Sequence, residues 1–366
     1  MAHYLVVGAG ILGSSVAYHL AKQGQRVTVI DYPNEGEATR AAAGIISPWV
    51  SQKQNDTLYQ VLKHGAAYYA DLVKQLHALG IHETSYKQVG SLHLHKNGDK
   101  LAKMVDDTLF RRQDAPEIGE VTQLSAEAVE QESPVMTDNM GAVKMAGGGR
   151  VNGGVFRDAL LKGAEMYGTS VIQGYATLHQ NKTAVDVNGT MIEADQIVAT
   201  NGAWASSLLR ETGHHIDVTS TKTQIVQLQL PDYVTEDWPV VMLPNNKYIV
   251  GFKGGIVSVG AEHRDNMDFR PNVDAASIHD ILKVAFKFAP GLKDAHFINA
   301  KVGFRPQTPD KRPVYGFLSD SPAIYVANGL GASGMTSGPF LGAEITRHLL
   351  GEPTMLNQTD FDPYQS

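Results

Sequence analysis

The chain contains no cysteine, and that absence removes several chemistries at once. Disulfides, thiolate nucleophiles, iron–sulfur clusters and a cysteinyl link to a cofactor all need one. Cationic excess is missing too. The 31 Lys and Arg residues stand against 38 Asp and Glu, for a formal net charge of −7, which gives no electrostatic case for a nucleic-acid partner. No apolar run approaches the ~20 residues of a membrane-spanning helix, so no membrane span is expected. Low-complexity segments and fixed-period repeats are also lacking. The first strand signal begins almost at Met1, leaving no room for a signal or transit peptide, so a cytoplasmic location is expected.

What is abundant is glycine, with 36 in 366 residues. That supply suits a protein whose backbone must approach a large ligand closely in several places. The length predicts two domains rather than one core. Residues 4–31, "YLVVGAGILGSSVAYHLAKQGQRVTVID", supply the clearest signal. An apolar strand breaks at Gly8, Gly10 and Gly13; a helix over 11–22 follows, ended by Gly24; a second strand carries Asp31 at its tip. In such a unit the first glycine permits the tight turn, the second lets backbone approach a pyrophosphate, and the third lets helix and strand pack closely. The amides at Ile11 and Leu12 lie at a helix N-terminus, which favours phosphate. Asp31, followed by Tyr32, is placed to accept hydrogen bonds from a ribose diol. A chance glycine turn is the alternative, but the full order of strand, glycines, helix, strand and acid argues for a dinucleotide.

Downstream, residues 55–80 read as a helix with Leu58, Leu62, Tyr69, Leu72, Val73, Leu76 and Leu79 on one face, Asn55 or Asp56 as its cap and Gly80 as its stop. Residues 86–95 alternate like a strand, and 97–132 read as charged and helical with a loop around Pro116. A second αβ passage follows "GGGRVNGGV", a hairpin turn is expected at Asn188-Gly189, and 216–259 alternate as antiparallel strands. Residues 274–288 form an amphipathic helix, and the end of the chain returns to strand, glycines, helix. Nucleotide-type passages at start, middle and end imply two discontinuous domains. His93 and His95 share a strand face, but with no third ligand beside them no metal site is expected.

A nicotinamide dehydrogenase would continue its second mononucleotide half directly after Asp31, whereas this chain runs into a loop of small residues. Together with the opening motif, "ATRAAAGIISP" (38–48), "IEADQIVATNGAW" (192–204), "VGFRPQTPDKRPVYG" (302–316) and "NGLGASGMTSGP" (328–339) resemble the FAD-dependent D-amino-acid oxidase superfamily, in its glycine oxidase, sarcosine oxidase and D-amino-acid dehydrogenase branch. The resemblance spans the chain in order. It implies a mixed α/β (α+β) fold in which a glutathione-reductase-type FAD-binding Rossmann domain (1–82, 147–215 and 300–366) interleaves with an antiparallel-sheet substrate domain (83–146 and 216–299).

It also implies that Thr39, Arg40, Gly44, Ile45 and Ile46 pass along the pyrophosphate and flavin ring, that Thr177 lies by the adenine, and that Gly202 belongs to the cofactor site. The near absence of side chains from Ala41 to Gly44 suits a planar ring pressed on backbone, an ordinary surface loop being the alternative. Gly331, Ala332, Ser333, Gly334, Met335 and Thr336 open the last helix, whose N-terminal amides would face the flavin N1 and C2 carbonyl, where negative charge gathers on reduction. FAD is expected to be noncovalent. The middle motif departs from the family in reading "RVNGG", and the last glycine loop in carrying Leu330, Gly331 and Ala332 where many relatives have histidine or arginine.

On the substrate side the resemblance assigns a small amino acid (glycine, sarcosine or a D-amino acid), with hydride passing to flavin N5 and on to oxygen or another electron acceptor. Arg305 is the candidate for the substrate carboxylate, its fork of donors suiting bidentate recognition; a surface arginine beside Arg312 is the alternative. Tyr248 matches the position whose hydroxyl meets the same carboxylate, or is a core tyrosine. Asn246 and His263 fall at pocket-lining positions. A dehydrogenase reducing a quinone, a tRNA-modifying flavoenzyme and a noncatalytic FAD module remain the other readings, and the oligomeric state stays open.

Overall fold

The computed structural model describes residues 1–50, 56–137, 139–179, 183–210, 212–265, 269–319 and 321–364. Its six-stranded sheet runs in the order Val314–Leu318, Ser321–Asn328, Gln196–Ala199, His3–Val7, Arg26–Asp31, Ser170–Gln173. All neighbours are parallel except the first hairpin. Strands buried on both faces need apolar side chains on both, which is why Tyr4 to Val7 read as an unbroken apolar run. One face is covered by helices Ile11–Lys22, Gly153–Met166 and Gly334–Leu349. The other is covered by a small sheet of Ala176–Leu178, Ala184–Val187 and Thr190–Glu193, through Leu178, Val185 and Val187. The turn at Asn188-Gly189 takes φ values of +53° and +85°, as a type I′ hairpin requires.

The glycines of the opening motif are demanded by close approach. A Cβ on Gly13 would lie 1.9 Å from the Gly8 carbonyl oxygen, and one on Gly8, whose φ is +96°, would lie 2.6 Å from Asn201 Cα. Strand, helix and the end of Gln196–Ala199 thus meet at one point.

The second sheet has eight strands in the order His296–Gln307, Thr219–Gln229, Ile256–Asp265, Tyr248–Gly251, Val240–Met242, Ser91–His95, Gly141–Met145, Val121–Leu124. It is antiparallel apart from the pairing of Val240–Met242 with Ser91–His95. Period-2 alternation gives it two unlike faces. Val226, Val241, Ile249 and Val259 point to the side covered by helix Ala275–Phe288, through Ile281, Ala285 and Phe288. The opposite side turns towards the glycine loops of the first sheet, and the cavity described below lies between.

Three local expectations are modified. The helix read over 55–80 is Asp56–Ala78, with Gly80 at φ +80° behind it; Asn55, offered as a cap, lies outside the described residues. The strand read over 86–95 splits into Lys87–Gln88 and Ser91–His95, because Val89 and Gly90 both donate their amides to the Gly148 carbonyl and turn the chain. The stretch read as helical over 97–132 holds helices Gly98–Arg112 and Ala126–Glu132, but Val121–Leu124 between them is an edge strand on Gly141–Met145. It is short and only partly buried, so it shows little alternation. No helix among the described residues is long and apolar enough to cross a membrane.

Candidate active site

The cavity between the two sheets has a volume of about 1060 Å³. Its floor is the mouth of the first sheet. Two helices begin here without a side-chain cap and without an acid in the first turn, Ile11–Lys22 at Gly10 and Gly334–Leu349 at Ser333. The first amides of a helix have no partner within the helix. One of them, from Ile11, donates to Thr39 Oγ1 at 3.0 Å. The others leave an environment that favours negative charge.

Of the cofactor residues named from sequence, Gly8, Gly10, Ile11, Leu12, Asp31, Tyr32, Thr39, Gly44, Ile45, Gly202, Gly331, Ala332, Ser333, Gly334, Met335 and Thr336 line this cavity. Four do not reach it. Gly13 is the packing contact already described. Ile46 points into the core at 1% exposure while Ile45 lines the cavity. Thr177 sits in the small sheet opposite Asp186, and its neighbours Tyr175 and Ala176 line the cavity instead. Arg40 faces outward, paired with Glu37 at 3.0 Å and Asp158 at 3.4 Å.

FAD is tested against this shape by what the glycines leave open. A Cβ on Gly10 would meet only Thr39 Oγ1, at 3.4 Å, and one on Gly202 or Gly331 would meet nothing closer than 3.9 Å. The backbone is bare on the cavity side at the points where a pyrophosphate and a ring need to approach, so the residues present fit the group. Asn201 Oδ1, an acceptor buried without a partner, sits in the same wall. Asp31 Oδ1 accepts the Ala9 amide at 2.9 Å and Oδ2 accepts Arg157 Nη2 at 2.8 Å. Arg157, which sequence reasoning missed, also donates Nε to the Ala9 carbonyl at 2.6 Å and so fixes the carboxylate against the glycine loop. Tyr32 and Tyr175 meet edge to face at 6.0 Å beside Asp31, each about half exposed.

The roof is the inner face of the eight-stranded sheet, and all four substrate-side residues named from sequence line it. Arg305 faces the cavity from the strand next to Thr219–Gln229. Desolvation by burial lowers its pKa and the neighbouring Tyr248 phenol raises it. Among the described residues its guanidinium has no acidic partner. Tyr248 is buried; desolvation pushes its pKa well above the usual phenol value against the opposing pull of Arg305, so the hydroxyl stays a neutral donor. His263 Nδ1 lies 3.2 Å from Thr223 Oγ1. Asn246 follows Asn245 in a turn where both take left-handed φ, +59° and +70°, a conformation asparagine tolerates.

Met242, Thr223, Phe304, Trp204 and His93 complete the wall and were not named as site residues. Burial pushes the His93 imidazole down to about 4. No group of three or more potential metal ligands occurs among the described residues.

A family model described as FAD dependent oxidoreductase matches residues 3–348. Among curated proteins, the uncharacterized oxidoreductase YurR of Bacillus subtilis (strain 168) is 45% identical over 99% of each chain. Glycine oxidase of the same organism is 25% identical, over 94% of this chain and 92% of the relative. Among solved structures, iminodiacetate oxidase (IdaA) from Chelativorans sp. BNC1 superposes with a TM-score of 0.94 at 36% identity, covering 98% of each chain.

Proposed function

The chain belongs to the FAD-dependent oxidoreductase family, and from that premise we propose that it oxidises the C–N bond of a small amino acid of the glycine, sarcosine or D-amino-acid class. The observation that carries this reading is Arg305, a desolvated cation facing the cavity with no acidic partner among the described residues. A guanidinium in that position calls for an anion from outside, and its fork matches a carboxylate. Tyr248, a neutral donor beside it, supplies a further hydrogen bond to the same group. With the carboxylate fixed at this end, the α-carbon is held in one orientation against the glycine loops, and positioning is the main catalytic demand.

FAD, when bound, supplies the hydride acceptor, and its electrons then pass to oxygen or another acceptor. On the substrate, the α-C–H bond breaks with its electron pair leaving as hydride, and the amine lone pair closes the C=N bond. Water adds to the imine, giving an oxo acid and releasing the nitrogen as ammonia or a primary amine. An amine that binds neutral needs no protein base for this. The protein's part is to seat the cofactor and exclude water: uncapped helix starts at Ile11 and Gly334 for the pyrophosphate and the flavin ring, and Asp31, anchored by Arg157, for the ribose.

A second reading within the same class is favoured by the 36% identity to iminodiacetate oxidase (IdaA): a secondary amine carrying two carboxylates. Anaerobic mixing of the purified holoenzyme with glycine, sarcosine, iminodiacetate and a D-amino-acid panel tests both. The flavin absorbance should bleach with at least one of them, and a flavin that stays oxidised with all would sink the amine-oxidation reading.

A further inference from the structure

We propose that His93 recognises the far end of the substrate, and that this end carries a second carboxylate. The inference rests on the reading above, in which Arg305 and Tyr248 hold the first.

Strand register carries the geometry. Tyr248 pairs directly with Met242, and Met242 with His93. Residues directly opposite across a sheet share a face, and neighbouring strands are about 4.8 Å apart, so His93 stands roughly 10 Å along the roof from Tyr248. Met242 makes an apolar step between them. All three line the cavity. A ligand gripped at Tyr248 and Arg305 that ends at its amine stops short of this row's last member.

The state of the His93 ring gives the second observation. Its Nε2 is buried without a hydrogen-bond partner, and among the described residues no partner is found for the ring at all. Buried polar groups are almost always paired. Buried His19 obeys that rule: Nδ1 bonds the Ser15 carbonyl and Nε2 bonds the Tyr68 hydroxyl, both at 2.6 Å. His93 is only part-buried and borders the cavity; Nε2 is enclosed, and the rest of the ring, with Nδ1, is the edge a ligand there would meet.

Charge selects the chemistry of that ligand. Helix Gly98–Arg112 brings Lys100, Lys103 and Asp107, all three exposed, to the same cavity. Lys103 is 3.7 Å from Asp107, whereas Lys100 has no acidic partner among the described residues. A neutral imidazole N–H with a lysine beyond it suits a carboxylate better than an apolar or cationic terminus.

The test uses two ethers that cannot be oxidised as amines. Diglycolate is the oxygen analogue of an N-carboxymethyl amino acid, and methoxyacetate is the same molecule with the second carboxylate replaced by hydrogen. Their binding to the FAD-loaded protein is read from the perturbation of the flavin spectrum, so it does not depend on turnover. Wild type should bind diglycolate the tighter by about five- to a hundredfold, the range expected when a buried polar group gains or loses its partner. His93→Leu should collapse that ratio, and His93→Gln, which keeps an N–H donor, should restore part of it. Lys100→Met should reduce it by a few fold, with a dependence on salt. Equal affinity of wild type for the two ethers, or an equal loss of both in His93→Leu, overturns the proposal. Failure of the amine-oxidation reading looks different: amines leave the flavin oxidised while the diglycolate preference and its dependence on His93 persist.

Discussion

Replacing Arg305 with leucine separates a binding cation from a structural one. The guanidinium lies in a desolvated wall next to Tyr248 and has no acidic partner among the described residues. Its removal therefore leaves no protein charge stranded. Breaking a buried ion pair costs about 3–5 kcal/mol because it leaves such a charge, whereas Arg305→Leu should hold or slightly raise the melting temperature of the protein. Catalysis should respond differently. A hydrogen bond to a charged group contributes about 1.5–3 kcal/mol, and each 1.4 kcal/mol is tenfold. Loss of one such bond predicts roughly ten- to 150-fold in kcat/KM, and loss of both prongs of the fork several hundredfold. Arg305→Lys should recover only part, since an ammonium does not reproduce two parallel donors. The assay is anaerobic flavin reduction in a stopped-flow instrument, run on the preferred amino acid and on its amide. The acid should lose the full factor and the amide little. Equal losses for both, or a drop in melting temperature of the size an ion pair gives, would refute the assignment of Arg305 to the substrate carboxylate.

The two walls of the site differ in how much of them the sequence shows. The floor is local: Gly8, Gly10 and Gly13 act within one turn, and their identity is forced by contacts such as the 1.9 Å approach that a Cβ on Gly13 would make. Sequence patterns of this kind carry their cause with them. The roof is not local. Tyr248, Met242 and His93 become neighbours only through the pairing of three strands, two of them separated by more than a hundred residues, and alternation alone does not say which face of a sheet meets a core and which a cavity. That is why His93 reads from sequence only as half of a metal pair. Arg157 has no local signal either: it sits within helix Gly153–Met166 and reaches an acid 126 positions away. At Ile46 and Thr177 the segments are at the cavity but the named side chains are not, because in a strand a shift of one residue exchanges the faces. Local chemistry is legible where backbone sterics dictate it, and convergent side chains are legible only after the register is known.

Three further perturbations test the floor of the site and the stability of the fold. Gly10 has φ −66°, which valine adopts, and a Cβ there meets only Thr39 Oγ1 at 3.4 Å, so Gly10→Val should give folded protein without FAD by absorbance and circular dichroism; stoichiometric FAD would move the nucleotide elsewhere. Tyr175→Ala removes half of the edge-to-face pair beside Asp31, and with an aromatic contact contributing about 0.5–1.5 kcal/mol the Kd for FAD should rise about two- to tenfold while that for FMN, which lacks the adenosine, stays put; an equal change in both would place the pair away from the adenine end. The last concerns acid stability and His19, whose burial lowers its pKa from 6.5 to about 4 despite the opposing bond to the Ser15 carbonyl. Between those two values the unfolded chain holds a proton that the folded one does not, so the stabilisation is complete above pH 6.5 and is lost as the pH falls towards 4. At 1.36 kcal/mol per unit the loss amounts to about 3 kcal/mol. His93, lowered to a similar value by burial, adds a limb of the same sign, so His19→Gln should flatten the fall in urea midpoint between pH 7 and 4.5 without abolishing it. A variant whose midpoint falls as steeply as that of wild type would show that the His19 ring is protonated in the folded state, and that its two hydrogen bonds do not hold it neutral.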